Sequence, residues 1–239
     1  MKPTRHKITH HYQPTNNTCG YASLAVFLSF YGKEYTPEQL VDKVPQPKNE
    51  KGKPTGSVTT QLVDWVQSQG FQIHMYSSDC LVLDLSWQHM DSRQIIDRLK
   101  AVKATRHVPA LGNYWTKVYI DSYISMLDGG SELSTVPFIT TGLLYKLLKN
   151  GPIYVNVCAT ALNGKGRMVH PGLREDVADD TNGAVSTHSV VVYGNDDKGN
   201  FLVADPWEGL IEVESEKMVL AIEAAQIECD NQCFVVEKS

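Results

Sequence analysis

Three observations predict an α+β fold for this chain of 239 residues. Helical patterns come first and strand patterns last, an order that segregates the two kinds of element instead of alternating them. One helical stretch, Cys19 to Tyr31, is apolar almost all round, which implies burial on most faces and a central place in the core. Two valine-rich runs near the end, "HSVVVYG" and "FLVADP", flank the polar turn "NDDKGN" and read as a hairpin of an antiparallel sheet. A hydrophobic fraction of 42% over this length suffices to bury a full core, so residues 1–239 are read as one domain with an enlarged middle segment, about 46–139.

Taken in order, the central helix begins after Thr18 and ends where Gly32 supplies a left-handed residue. In "TPEQLVDKV", Thr36 is the N-cap, Pro37 the first helical residue and Gln39 the capping-box partner, which predicts a helix near 37–44. "KNEKGKPTG" is rich in turn residues and reads as a surface loop. Val58, Leu62, Trp65 and Val66 recur at helical spacing up to Gly70, after which "FQIHMYS" alternates like a strand. Two more helical patterns follow, one on Ile95, Ile96, Leu99 and Val102, the other on Val118, Ile120, Tyr123, Ile124 and Leu127. The pattern does not specify how the segment from about 72 to 135 is arranged. "TTGLLYKLLKNG" predicts a capped helix, "PIYVNVCA" a buried strand, and Thr160 to Ser186 a long polar loop. The hairpin comes next, then a helix over "SEKMVLAIEAAQIE" and a last strand over "CFVVEK".

Composition excludes several classes. A net charge of −5 with dispersed basic residues offers no cluster for phosphate, which argues against nucleic acid and for a protein or peptide partner. No stretch approaches the roughly 18 to 20 apolar residues of a membrane span, and "MKPTRHKITHHYQP" lacks the apolar core of a secretory signal. The expected setting is cytoplasmic, or exported by a route other than Sec. The cysteines (Cys19, Cys80, Cys158, Cys229, Cys233) form an odd, scattered set that fits a reducing compartment and leaves at least one thiol free. No internal repeat or low-complexity run is present, so function must lie in local constellations.

Four residues form one. Cys19 stands where the central helix begins, and the unpaired N–H groups and macrodipole of a first turn favour a thiolate. Alone, a cysteine there is more often simply packed. His188 opens the strand "HSVVVYG", where a ring at a sheet edge can take a proton from a thiol and return it to a leaving amine; alone, it reads as a solvated strand-end histidine. Asp205 ends the next strand, and hairpin geometry brings it beside His188, where a carboxylate would hold the imidazole tautomer and stabilise its cation. Alone, an Asp-Pro is a turn. Gln13, six positions before Cys19, can donate from its amide to an oxyanion together with the Cys19 backbone N–H. Alone, it is a loop glutamine. Jointly the four stand in the order and settings that thiol acyl transfer requires.

The chain resembles the papain-like cysteine peptidases, and among them the C39 (double-glycine) and standalone C39-like peptidases. The resemblance rests on "YQPTNNTCGYASLAVFLSFYGKEYTPEQL", "LLYKLLKNGPIYVNV" and "HSVVVYGNDDKGNFLVADPWEG", roughly residues 10–45 and 140–212. It implies a papain-like α+β fold, a helical lobe with a central nucleophile helix packed on an antiparallel sheet lobe. It also implies Cys19 as nucleophile, His188 as base, Asp205 as its partner, Gln13 in the oxyanion hole, and cleavage after a Gly-Gly type motif. The middle segment is longer than the resemblance leads one to expect of exporter-linked members of that family. Standalone relatives include bacterial effector toxins held inactive at home by a cognate immunity or inhibitor protein, so the resemblance implies that setting as well.

Rival readings use the same residues for amidase, deamidase or acyltransferase chemistry, or keep the fold as a catalytically inactive peptide-binding module. Trp207 reads as core, or as a shield over the His188–Asp205 bond. Cys229 and Cys233 lack histidine neighbours, and neither a metal nor a cofactor is expected. His74 and His170 have no setting comparable to that of His188. His10 and His11 read as a solvated pair, and the acidic run "REDVADD" as a solvated loop that could rim the cleft.

Overall fold

A computed structural model of the chain describes residues 2–105, 112–164, 166–172, 175–228 and 230–237. Among these residues one sheet has eight strands. Seven run in the order β3 (Glu132–Thr135), β2 (Ile73–Ser77), β10 (Gln232–Val236), β4 (Ile153–Cys158), β7 (Thr187–Asn195), β8 (Phe201–Asp205) and β9 (Gly209–Val213), and β1 (Thr4–Arg5) also pairs with β7. The helices are α1 (Cys19–Ser29), α2 (Pro37–Lys43), α3 (Thr59–Ser68), α4 (Ser92–Thr105), α5 (Gly112–Asp128), α6 (Thr141–Leu148), α7 (Ala159–Asn163) and α8 (Ser215–Ala224). A second, two-stranded sheet pairs β5 (Met168–Gly172) with β6 (Glu175–Ala178).

The predicted α+β class holds, and most elements form where their patterns place them. The capping box closes at both ends: the Gln39 N–H donates to Thr36 Oγ1 and the Thr36 N–H to Gln39 Oε1. Four expectations need correction. The large sheet is not wholly antiparallel, because β2 and β3 pair in parallel; the helices α4 and α5 lie between them in sequence, and a connection of that kind is what a parallel pair requires. The region read as a polar loop from Thr160 to Ser186 contains α7 and the β5–β6 hairpin. β9 follows directly on Trp207-Glu208, where no strand was read. The pair His10 and His11 is not solvated, for reasons given with the site below.

The sheet is buried on both faces. Tyr154, Val191, Tyr193 and Phe234 pack with α1, α3, α4 and α5, while Ile153, Val155, Val157, Val190, Val192 and Val203 pack with α6 and α8. Adjacent residues of a strand point to opposite faces, so a strand covered on both sides reads as a continuous apolar run, as β7 does. Each such valine contributes about 1.5–3 kcal/mol by leaving water.

Two glycines are needed for close approach. A β-carbon at Gly194 would lie 2.3 Å from the Thr4 carbonyl oxygen, so Gly194, at a bulge between β7 and β8, is what lets β1 dock. A β-carbon at Gly20 would lie 1.8 Å from Ser57 Oγ and 3.1 Å from the Tyr154 hydroxyl. Gly20→Ala is therefore expected to destabilise the fold by about 1–3 kcal/mol through overpacking, read as a lower urea midpoint. Gly142→Ala on α6, whose β-carbon would meet nothing nearer than Thr140 Oγ1 at 3.8 Å, should be neutral or stabilising.

Candidate active site

The hairpin brings His188 and Asp205 together. Val191 pairs with Ala204, which continues to set Asp205 opposite Val190, two residues from His188 on the same side of β7. His188 Nε2 donates to Asp205 Oδ1 at 2.9 Å. Asp205 is fully buried and His188 is 9% exposed, so water does not compete for this bond. The backbone N–H groups of Trp207 and Glu208 also donate to Asp205 Oδ1, at 2.7 and 3.1 Å, and lock the carboxylate on the turn out of β8.

Cys19 is the first residue of α1 and is half-buried. Its sulfur is hydrogen-bonded to the His188 ring and accepts the backbone N–H groups of Ser189 and Gly20. Because Nε2 is engaged by Asp205, the ring nitrogen turned to the sulfur is Nδ1. Burial works to raise the thiol pKa, but the bonds from His188, Ser189 and Gly20 outweigh it and hold the thiol below its ordinary value. Burial likewise disfavours the charged imidazole, and Asp205 and Cys19 overcome it, raising His188 to about 10. Asp205 is held below the ordinary carboxylate value against its own desolvation, chiefly by His188. All three directions favour a thiolate–imidazolium pair steadied by a carboxylate.

Gln13 reaches the site along the N-terminal segment. His6 Nε2 donates to the Leu148 carbonyl, His10 Nε2 donates to the Asp205 carbonyl at 2.9 Å, and the Gln13 N–H donates to the Pro206 carbonyl at 2.9 Å. His10 is thus tied to the backbone of the residue that holds His188. His11 is half-buried with Nε2 lacking a partner, and burial lowers its pKa. The Gln13 amide donates to the Thr15 carbonyl at 2.8 Å; its second N–H is the one available to an oxyanion.

Gln13, Asn16, Met168, Ser186, His188 and Trp207 line an open cleft with a volume of about 110 Å³. Cys19 is not part of that wall; it is joined to it through the His188 ring. A second groove, lined among others by Pro14, Thr15, Thr18, Val41 and Pro54, lies against the same 13–18 segment. Trp207, 39% exposed, is a cleft residue and not core. Met168 of the β5–β6 hairpin lines the cleft, while the described residues of the acidic run 174–180 supply none of its lining; the hairpin is tied to the nucleophile loop by Asn16 Nδ2 donating to the Glu175 carbonyl at 3.0 Å. Sequence reasoning passed over Ser23, Tyr154, Asn156 and Ser189, which back the site from beneath. The only signal was a hydroxyl at Ser23, one turn past Cys19 in a mostly apolar helix.

Elsewhere, among the described residues, His74, Glu132 and Glu237 converge at the β2–β3 side of the sheet. There His74 Nδ1 bonds Glu237 at 2.8 Å and Nε2 bonds Ser134, so both ring nitrogens are engaged in hydrogen bonds within the protein. Cys229 lies outside the described residues, and Cys233 is buried, its thiol pushed well above the ordinary value by that burial. No helix among the described residues is long and apolar enough to cross a membrane.

A part-exposed thiol bonded to a buried imidazole, itself bonded to a buried carboxylate, has the make-up of a thiol acyl-transfer site. The sequence-family model described as the Peptidase_C39 like family matches residues 5–220, and the chain belongs to that family. Among solved structures it is similar to a chain from Bacillus anthracis described as a C39-like peptidase, at 11% identity, covering 100% of this chain and 99% of that one with a TM-score of 0.49. It is also similar to a double glycine motif protease from an AMS/PCAT transporter, solved in complex with the leader peptide, at 14% identity, 100% and 99% coverage and a TM-score of 0.44. No curated protein matches the chain.

Proposed function

We propose that the protein is a cysteine peptidase that hydrolyses a peptide bond through Cys19, His188 and Asp205, with Gln13 in the oxyanion hole. The observation that carries this reading is the continuous chain of bonds from the Cys19 sulfur through the His188 ring to Asp205 Oδ1. Cys19 attacks the carbonyl carbon and the C–N bond breaks as the imidazolium gives its proton to the leaving amine. Water, deprotonated by His188, then releases the acyl group and regenerates the thiol. The Cys19 N–H and the second amide N–H of Gln13 receive the oxyanion.

Two depressions along the 13–18 segment that leads into Cys19, one lined by Gln13 and Asn16 and the other by Pro14, Thr15 and Thr18, favour an extended polymer over a small amide. A cut after a Gly-Gly pair follows from the family resemblance and is the first sequence to try. The test is to incubate the protein with a Gly-Gly peptide and, separately, with a cell-wall peptide, and to identify products by mass spectrometry. Cleavage at one peptide bond of the Gly-Gly substrate supports the reading; attack on the cell-wall peptide alone replaces it with amidase chemistry. Gln13→Ala is expected to lower kcat about 10²-fold with KM little changed, because the amide acts on charge that develops only in the transition state.

A further inference from the structure

One residue of β7 is held by α1 on both sides of its Cα, through the two peptides that flank it. The Ser189 N–H donates to the Cys19 sulfur, and Ser23 Oγ, four residues after Cys19 and so on the same face of α1, donates to the Ser189 carbonyl at 2.7 Å. Ser23 is fully buried and Ser189 nearly so. The Ser189 side chain is held from the sheet side as well: its Oγ donates to Asn156 Oδ1 at 3.0 Å, and Asn156 Nδ2 donates to Thr59 Oγ1 at 2.5 Å. The Tyr154 hydroxyl, within reach of Ser189 and Ser57, donates to the Gly20 carbonyl at 3.4 Å.

We infer that Ser23 is a positioning residue for the Cys19 thiolate, acting through the backbone of Ser189, with Tyr154 and Asn156 backing that residue from the sheet. The inference rests on the reading of Cys19 as nucleophile. An N–H pointed at sulfur stabilises the anion only if its distance is held, and the residue that bears it is free to shift unless the next peptide, which carries its carbonyl, is also fixed. Ser23 fixes that carbonyl from the same helix that carries the sulfur, so donor and acceptor keep one frame. The titratable side chains facing the sulfur from the packed elements are Tyr21 of α1, Tyr154 of β4 and His188 of β7; Ser23→Ala changes none of them.

The test measures the pH dependence of iodoacetamide alkylation at Cys19, followed on its own peptide by mass spectrometry so that exposed Cys80 does not contribute. In Ser23→Ala the Cys19 titration should move up by about one unit, a tenfold slower reaction below it, with kcat lowered about tenfold and KM within about twofold. Ser122→Ala is the control. It removes a comparably buried hydroxyl, bonded to Thr60 Oγ1 at 2.5 Å, and should lower stability without moving the Cys19 titration. If Ser23→Ala does not fold, Tyr154→Phe takes its place, keeping the ring while removing the hydroxyl, and should shift the titration in the same direction.

Three outcomes count against the inference. An unmoved titration in Ser23→Ala, or in Tyr154→Phe where that replaces it, overturns the clamp while leaving the nucleophile reading intact. An equal shift in Ser122→Ala overturns it as mere loosening of the fold. Wild-type Cys19 titrating like a free thiol overturns the nucleophile reading, and the clamp with it.

Discussion

Cys19→Ala is expected to abolish peptide cleavage, a loss of about 10⁴-fold or more, while the chain keeps its fold. In the proposed mechanism the sulfur forms the covalent bond, and it is a thiol held below its ordinary value and bonded to the His188 base. Stability should change little, because Cys19 is itself only half-buried and an alanine suits the first turn of a helix. Cys19→Ser sharpens the test. It keeps a hydrogen-bonding atom against Nδ1, but a hydroxyl is far less acidic than a thiol, so the preformed ion pair is lost and activity should fall almost as far. Circular dichroism and a urea midpoint establish the fold; mass spectrometry of products establishes the activity. Cleavage by a folded Cys19→Ala protein at the wild-type rate would remove the thiol from the mechanism.

What the sequence revealed follows from the range over which each interaction acts. Cys19, His188, Asp205 and Gln13 were legible because each stands at a boundary with a local signal: a helix start, a strand start, a strand end before proline, a loop before a helix. The hairpin from His188 to Asp205 was legible because a short turn dictates the pairing. The parallel pairing of β2 with β3 was not, since it depends on how α4 and α5 return the chain, and nothing in the residues from Ile73 to Ser77 names a partner. The β5–β6 hairpin was hidden because its residues, "MVHPG" and "EDVA", show no apolar alternation and lie in a stretch rich in polar and turn residues. Ser23 was hidden by the opposite circumstance: in a nearly all-apolar helix a single hydroxyl reads as tolerated, and only the carbonyl of Ser189, 166 positions away, gives it a task.

The middle segment, whose arrangement the pattern left open, has a structural role that the coordinates define. β2 lies beside β10 and β3 beside β2, so the segment widens the sheet on the side away from β7 and β8. α3, α4 and α5 bury Val63, Leu99, Ile120 and Tyr123 in the same core that holds α1. The segment therefore packs behind the helix carrying Cys19, and the residues lining the cleft against His188 come instead from the N-terminal segment and from residues 159–208.

Replacing Asp205 should give the second large effect, and its pH dependence separates charge from geometry. Folded His188 titrates near 10, above its ordinary value, so the charged ring contributes stability in full below the ordinary imidazole value and loses it as pH rises through about 10. Cys19 and Asp205 are depressed, so their contributions are present above their ordinary values and are lost as pH falls through the folded ones. Activity that needs the thiolate–imidazolium pair thus spans the window between the lowered thiol and the raised imidazole, as two coupled limbs of one profile. Without the carboxylate the imidazolium is less stable, so the alkaline limb moves down; with a less stable imidazolium the thiolate loses support, so the acid limb moves up. In Asp205→Asn the Oδ1 acceptor survives for the Trp207 and Glu208 N–H groups, and the window should narrow from both sides with kcat down about 10- to 100-fold. In Asp205→Ala those N–H groups lose their acceptor and the ring loses its orientation, so kcat should fall about 10³-fold and stability by about 1–3 kcal/mol. The measurement is kcat/KM from pH 4 to 11 for the three proteins, with urea midpoints alongside. An Asp205→Asn profile that overlays the wild type would mean that the carboxylate charge takes no part in holding the pair.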